Sequence, residues 1–299
     1  MARRKKGDKV DGWLVVDKPT GPSSAKIVAI VKRCFNAQKV GHGGTLDPLA
    51  TGILPIGLGE ATKTMPYIVD ATKEYEFTVK WGEATDSDDC EGEPTHTGGI
   101  IPADDQIQSV LVGFTGSIEQ VPPAYSAIKV DGQRAYALAR QGEEVVLKSR
   151  VVEIQSLNLI SSDEATGTSD FHVVCGKGTY VRSLGRDIAL KLGTFGHITA
   201  LRRTRVGPFG LVGAISLEML EDLSHSARAA GLLLPVTTAL DDIPALAVTA
   251  PEAADIQMGR SIQNPKAKQG TCVLMNGTEP VAIAKAEDGF IRPLRVFNM

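Results

Sequence analysis

The sequence predicts a mixed α+β protein, one large first domain followed by a small β-rich one. Three observations carry that reading. Short apolar runs alternate with amphipathic helical stretches, the composition changes near residue 244 to short strand-like runs divided by turns, and 299 residues is near the size at which one core divides. With 42% hydrophobic and 22% charged residues the composition is that of a soluble globular protein. No apolar run is long enough to span a bilayer, and the opening Met-Ala-Arg-Arg-Lys-Lys has no apolar signal core behind it, so a cytoplasmic location is expected.

Gly12 to Asp17 is an apolar run ending at Lys18-Pro19, a strand entering a loop. Residues 23 to 35 place Ile27, Val28, Ile30, Val31 and Phe35 at helical spacing behind a serine cap. A glycine-dense turn follows, then a short apolar segment from Ile53 to Ile56, a helix expected over Glu60 to Val69, and a strand over Tyr75 to Trp81. Residues 83 to 105 hold eight acids with no Lys or Arg and read as an exposed loop. Asp86, Asp88 and Asp89 hint at a calcium loop, but the closing glutamate of an EF-hand is missing. Residues 122 to 149 read as an excursion from the main sheet that continues into a helical stretch of mixed charge. Strands are expected at 150 to 160 and 170 to 175, and a helix from Tyr180 to Leu192. Thr271 to Met275 and Pro280 to Ala284 are strand-like runs of the terminal unit.

The net charge of −3 conceals segregation. Residues 1 to 50 carry 10 basic and 4 acidic side chains, 51 to 149 carry 7 and 16, 150 to 210 carry 8 and 5, and 211 to 299 carry 7 and 10. The two basic segments also hold the unusual motifs, so a positive groove for a polyanion is compatible with an acidic whole. Cys34, Cys90, Cys175 and Cys272 lie far apart, which argues against a zinc ribbon or a disulfide framework. The five histidines form no His-x-x-x-His pair, and the phosphate-loop, dinucleotide and nucleophile-elbow signatures are missing. What remains is a carboxylate, two basic motifs and some aromatics.

The carboxylate is Asp47, set in Gly41-His42-Gly43-Gly44-Thr45-Leu46-Asp47-Pro48-Leu49-Ala50-Thr51-Gly52. Glycines let a ligand approach closely, and Pro48 stiffens the turn. Two roles suit such an Asp: capping its own turn, or meeting whatever approaches.

This stretch, continued by Ile53-Leu54-Pro55, resembles the catalytic signature of the TruB-type tRNA pseudouridine synthases, which act on the T-loop uridine at position 55. The resemblance extends in order through Asp17-Lys18-Pro19 with Gly21 and Ser23-Ser24, Gly59-Glu60-Ala61-Thr62-Lys63, Lys73-Glu74-Tyr75, Pro122-Pro123-Ala124-Tyr125-Ser126-Ala127, Gly178 to Leu184, and His197 to Arg203. It covers residues 12 to about 210; Pro22 departs from it, standing where a bulkier apolar residue is common.

The resemblance implies a cofactor-free isomerisation in which the bond from ribose C1′ to uracil N1 breaks, the base turns, and C1′ rejoins at C5. It assigns Asp47 as nucleophile or electrostatic partner, attacking base or ribose or assisting proton abstraction. Arg182 would hold that carboxylate ionised and oriented, Arg's planar fork doing what Lys cannot. Tyr75 would stack on the flipped base and place its hydroxyl near the reacting groups; Tyr180 would line the other side. Leu201 would bind uracil through its main chain, and His42 would fill the space left by the flipped nucleotide. Lys18, Lys63, Arg202, Arg203 and Arg205 would hold phosphates. The implied architecture is a catalytic domain, residues 1–243, around a largely antiparallel sheet, with 122–149 as an RNA-gripping thumb. Residues 244–299 would form a PUA-like domain that contacts the acceptor arm of tRNA. A monomer without a protein partner is expected. Two other readings compete: a non-catalytic tRNA-binding or folding module, and an Mg²⁺-dependent phosphotransferase.

Overall fold

The computed structural model describes residues 7–126, 128–130, 132–143, 145–223 and 231–299. Residues 1–6, Ala127 of the Pro-Pro-Ala-Tyr-Ser-Ala motif, Asp131 and Glu144 of the excursion, and His225 lie outside the described residues.

Strand β1 (Gly12–Lys18) leads to helix α1 (Ser24–Cys34), which begins where Ser23 Oγ accepts the Lys26 amide at 3.3 Å. The helix buries Ile27 and Val31, as its spacing requires. Strands β2 (Val40–His42) and β3 (Thr51–Leu58) pair antiparallel on either side of the glycine turn. The single helix expected over Glu60 to Val69 is two pieces: a 3₁₀ turn at Gly59–Lys63 and helix α2 (Met65–Asp70). Thr64 divides them. Its hydroxyl donates to the Ala61 carbonyl at 2.8 Å and accepts from Trp13 Nε1 at 3.2 Å, and Pro66 has no amide to carry the ladder on.

Strand β4 (Lys73–Trp81) alternates as expected. The 83–105 stretch corrects its reading as an exposed loop. Strands β5 (Glu83–Thr85) and β6 (Pro94–Thr97) pair, and Ser87 and Asp89 between them are buried. Helix α3 (Asp104–Leu111) takes up the last two acids, placing them at its positive end. After β7 (Gly116–Gln120), the excursion carries a hairpin of β8 (Lys129–Val130) and β9 (Gln133–Arg134). Its helical part is only α4 (Ala135–Ala139), shorter than the sequence suggested. Then come β10 (Arg150–Asp163), β11 (Thr168–Cys175), α5 (Val181–Lys191), β12 (Gly196–Val206), β13 (Phe209–Gly210) and α6 (Leu217–Leu223).

The main sheet runs β1-β3-β12-β4-β11-β10-β7, with β2 on β3 and β13 on β12. It is antiparallel except between β3 and β12, where Arg202 faces Thr51 and Arg203 faces Gly52. Glycine is required there: Gly52 has φ +98°, and a Cβ would lie 2.2 Å from the Arg203 carbonyl oxygen. Helices α1, α3 and α5 cover one face through Ile27, Ile107 and Leu184, which share a core with Leu14, Phe77 and Phe171.

The terminal unit consists of β14 (Ala245–Ala247), α7 (Ala250–Gln257), β15 (Ile262–Gln263), β16 (Gly270–Asn276), β17 (Glu279–Glu287) and β18 (Phe290–Val296). It is a five-stranded sheet ordered β14-β16-β17-β18-β15, in keeping with the PUA-like unit expected. A second apolar cluster joins it to the main sheet: Trp13, Ile53 and Phe209 pack with Val273, Ile283 and Phe297.

Candidate active site

The turn between β2 and β3 is fastened at both ends before Asp47 is considered. Ser24 Oγ donates to the Leu46 carbonyl at 2.9 Å and accepts the Leu46 amide at 2.8 Å, so α1 holds the approach to Asp47. Beyond it, the Gly21 amide donates to the Pro48 carbonyl at 2.8 Å, and the Ala50 amide to the Asp47 main-chain carbonyl at 3.1 Å. The turn is therefore capped by backbone, and the carboxylate is turned elsewhere: Asp47 Oδ2 lies 3.0 Å from Arg182 Nη2. The Asp47 side chain keeps 36% of its surface exposed, whereas that of Arg182 keeps 4%. A buried guanidinium thus aims a reachable carboxylate.

Arg182 is the second residue of α5, and four groups meet its two terminal nitrogens, while its buried Nε has no hydrogen-bond partner among the described residues. Nη1 donates to the Ser87 carbonyl at 2.8 Å, Nη2 to the Tyr125 carbonyl at 2.8 Å, and Asp89 Oδ2 stands 3.3 Å from Nη1. Asp89 in turn accepts from Ser87 Oγ at 2.6 Å. Asp89 went unrecognised in the sequence because it lies among eight acids of an apparently solvated stretch; the signal that would have found it is a second carboxylate for Arg182. Asp88 beside it pairs with Arg186 at 2.8 Å, and burial pushes its carboxyl up to about 6 despite that partner.

Asp47 and Arg182 border a cavity of about 280 Å³ that Tyr75, Tyr180, Leu201, Lys73, Arg150 and Arg203 also line. Tyr180 caps α5; its amide donates to Gln120 Oε1 at 2.8 Å while Gln120 Nε2 donates to its carbonyl at 3.1 Å. The Arg150 guanidinium sits 4.8 Å from the centre of the Tyr180 ring. Neither Gln120 nor Arg150 stood out in the sequence. Tyr75 lies on the same wall as Leu201, on adjacent strands β4 and β12. Burial raises the Tyr75 phenol pKa, and the nearby Arg203 charge opposes that rise. Lys73 is buried with its ammonium donating to the Val69 and Ala71 carbonyls, and burial holds its pKa at about 8.

On its other side Asp47 borders a cleft of about 470 Å³ lined by Asp86, Asp89, Glu91 and Glu93 together with Arg140 and Arg182. The carboxylate thus stands on a wall between a cation-lined cavity and an acid-rich cleft. His42, at the end of β2, faces Ile56 across the hairpin, outside the residues that line the cavity. Burial, aided by the Arg203 charge, holds its imidazole below the ordinary range.

The phosphate-binding expectation needs correction. Lys18 is fully buried, and its ammonium donates to the Pro19 carbonyl at 2.8 Å and the Pro48 carbonyl at 3.1 Å, bracing the Asp47 turn. Burial, the largest cause, lowers its pKa to about 8 although Asp47 pulls the other way. Arg203 is 1% exposed and also turned inward. Lys63 bonds Glu60 at 2.6 Å and the Val296 carbonyl at 2.7 Å, joining the two units. Arg202 forms a two-point pair with Asp17 at 3.1 and 2.7 Å but stays partly open to solvent. Arg205 is the most exposed of the five, 3.7 Å from Glu74. Among the described residues no group of three or more His, Cys, Asp or Glu is placed to hold a metal ion, and no helix is long and apolar enough to cross a membrane.

A carboxylate held by a buried arginine beside two tyrosines, next to the parallel β3/β12 junction of the main sheet, matches the class its motifs resemble, the pseudouridine synthases. Comparison with known proteins narrows the class. The family model for the N-terminal domain of TruB family pseudouridylate synthases matches residues 32–181, and that for the C-terminal domain of tRNA pseudouridylate synthase B matches 182–241. The chain is 51% identical to tRNA pseudouridine synthase B of Caulobacter vibrioides and 49% identical to that of Caulobacter sp. strain K31, in each case over 100% of both chains. It is also similar to the structure of a Cbf5-Nop10-Gar1 complex, with a TM-score of 0.73 and 25% identity, covering 96% of this chain and 84% of that one. The chain belongs to the TruB family of pseudouridylate synthases.

Proposed function

We propose that this chain converts uridine to pseudouridine in tRNA, at position 55 of the T-loop. The observation that carries the reading is the Asp47–Arg182 pair at 3.0 Å, on the border of a small cavity flanked by Tyr75 and Tyr180. A uridine stacked in a folded loop cannot reach that pair, so the base leaves its stack and enters the cavity. Arg182 aims Asp47; Asp47 meets the ribose or the base; Tyr75 packs against the ring with its hydroxyl toward the reacting groups. Leu201 offers main-chain groups to uracil, Tyr180 closes the opposite wall, and His42 meets the RNA beside the vacated stack. The product has the same atoms as the substrate, so the chemistry calls for neither redox cofactor nor group donor.

Residues 1–243 form the catalytic domain, 122–149 its thumb and 244–299 the PUA-like domain against the acceptor arm; Lys63, Arg202 and Arg205 remain the candidate phosphate contacts. The enzyme acts as a cytoplasmic monomer without a protein partner. Support for the substrate comes from relatives named tRNA pseudouridine synthase B at about 50% identity over the full chain. The test uses T-stem-loop RNA tritiated at uracil C5, with EDTA present. Wild type should release tritium and Asp47→Asn should not, while both bind the RNA within about threefold. No release by an RNA-binding wild type, or undiminished release by Asp47→Asn, would overturn the reading.

A further inference from the structure

Arg203 was expected at the surface and lies beneath the active site instead. Its Nε donates to the Ile53 carbonyl at 2.7 Å, Nη2 to Gly44 at 3.0 Å and Nη1 to Thr45 at 3.4 Å. Those carbonyls belong to the two limbs of the turn, before and after Asp47, so one side chain ties both together. The Arg203 backbone meets Gly52 across the parallel junction and Tyr75 across β4. A single residue therefore sets Asp47 and Tyr75 relative to one another.

Its charge is equally unusual. Arg182 has two carboxylates within 3.3 Å, whereas Arg203, which is more deeply buried, has no carboxylate partner among the described residues. An uncompensated buried cation is costly and calls for an anion that arrives from elsewhere. Three of its five N–H donors are engaged by the turn and a further contact goes to the Tyr75 hydroxyl, which still leaves a donor for the cavity that Arg203 lines. Lys73 lines that cavity too, its ammonium bonded to the Val69 and Ala71 carbonyls.

The reaction supplies such an anion. When C1′–N1 breaks, the bonding pair leaves with the base, which becomes an anion with charge spread over N1, O2 and O4. C1′ is left electron-poor and is met by an Asp47 oxygen or by transient loss and return of a ribose proton. After the base turns, C5 gives a pair to C1′, displacing the Asp47 oxygen if one is bound there, the proton on C5 passes to solvent, and N1 takes a proton from solvent, so the product is neutral. Between these steps the cavity holds a negative ring. We propose that Arg203 is a second arginine of the catalytic centre: it positions the Asp47 turn and presents an unpaired positive charge to the detached uracil. Preorganised donors of this kind are worth about 10²–10³ in rate.

The inference rests on the isomerase reading, and its test separates the two. Single-turnover tritium release and RNA affinity are measured for wild type, Arg203→Met and Arg203→Lys, with thermal melts to verify folding. Arg203→Met should lose at least about 100-fold in the chemical step with RNA affinity within about threefold; Arg203→Lys, keeping charge but not the fork, should recover at least about tenfold of that loss. An active wild type with Arg203→Met within about threefold of it would overturn the inference. So would equal losses in the two variants, or losses that follow melting temperature and RNA affinity rather than charge, because a merely structural arginine behaves in that way. If Arg203→Met does not fold, Arg203→Lys decides alone: near-complete loss in a folded protein overturns the charge role, and partial retention supports it. An inactive wild type would instead refute the isomerase reading.

Discussion

At the scale of single residues, the site depends on which charges are compensated and which are not. Arg182 is shared between Asp47 and Asp89, so removing one carboxylate frees the fork to swing. Asp89→Asn should lower kcat by about 10- to 100-fold with KM within about threefold, measured by steady-state tritium release, since the proposed phosphate contacts, Lys63, Arg202 and Arg205, lie elsewhere. Lys73 gives a second prediction, in stability. Burial lowers its pKa from 10.5 to about 8, so between those values the unfolded chain binds more protons than the folded one. Unfolding free energy from this group therefore rises with pH across that window, by on the order of 1 kcal/mol or more. Cys175 works in the opposite sense, its thiol pushed up from 9 to about 11 by burial, so the lysine is isolated by difference. Urea melts from pH 7.5 to 10 should show wild type gaining stability relative to Lys73→Met as pH rises; a constant difference would contradict this.

At the scale of elements, the site is built where three segments with different local rules converge. The glycine turn, the start of α5 and the β3/β12 junction each follow from backbone requirements, and Gly52 is the tightest of them. Gly52→Ala puts a Cβ 2.2 Å from the Arg203 carbonyl oxygen at a φ of +98°, so the strands must part. It should lower stability by about 3 kcal/mol or more and abolish tritium release, as read by thermal melts and the RNA assay; a wild-type melt would contradict that account. Much of this level was legible in the sequence. Ser23 announced α1, alternation announced β4, and the motif order placed Asp47, Arg182, Tyr75 and Tyr180 in one site. The misses have physical causes. Thr64 and Pro66 divided a helix that periodicity alone runs together. Asp89 was hidden because composition cannot tell a solvated acid from one that meets an arginine distant in sequence. Lys18 and Arg203 read as surface cations because local sequence does not reveal that carbonyls of the Asp47 turn will accept their hydrogen bonds.

For the whole molecule, the terminal unit is joined to the main sheet and does not simply trail from it. Phe297 is 2% exposed and shares a cluster with Trp13 and Ile53, while Lys63 and Glu60 bind the Val296 carbonyl and the Asn298 amide. Phe297→Ala should cost about 3–5 kcal/mol in a thermal or urea melt. Asp47→Asn, at a partly exposed carboxylate, should melt close to wild type. That union holds the proposed catalytic cavity and the terminal sheet in one frame, as the proposed reach of a tRNA substrate across both units requires. The central claim is that this frame delivers one uridine to Asp47. The most direct measurement is to incubate a full-length tRNA transcript with wild type and with Asp47→Asn and to map pseudouridine along the strand by carbodiimide modification and primer extension. A single enzyme-dependent stop at T-loop position 55, absent with Asp47→Asn, is the predicted result. No stop with wild type, a stop at another position, or a stop that survives Asp47→Asn would contradict it.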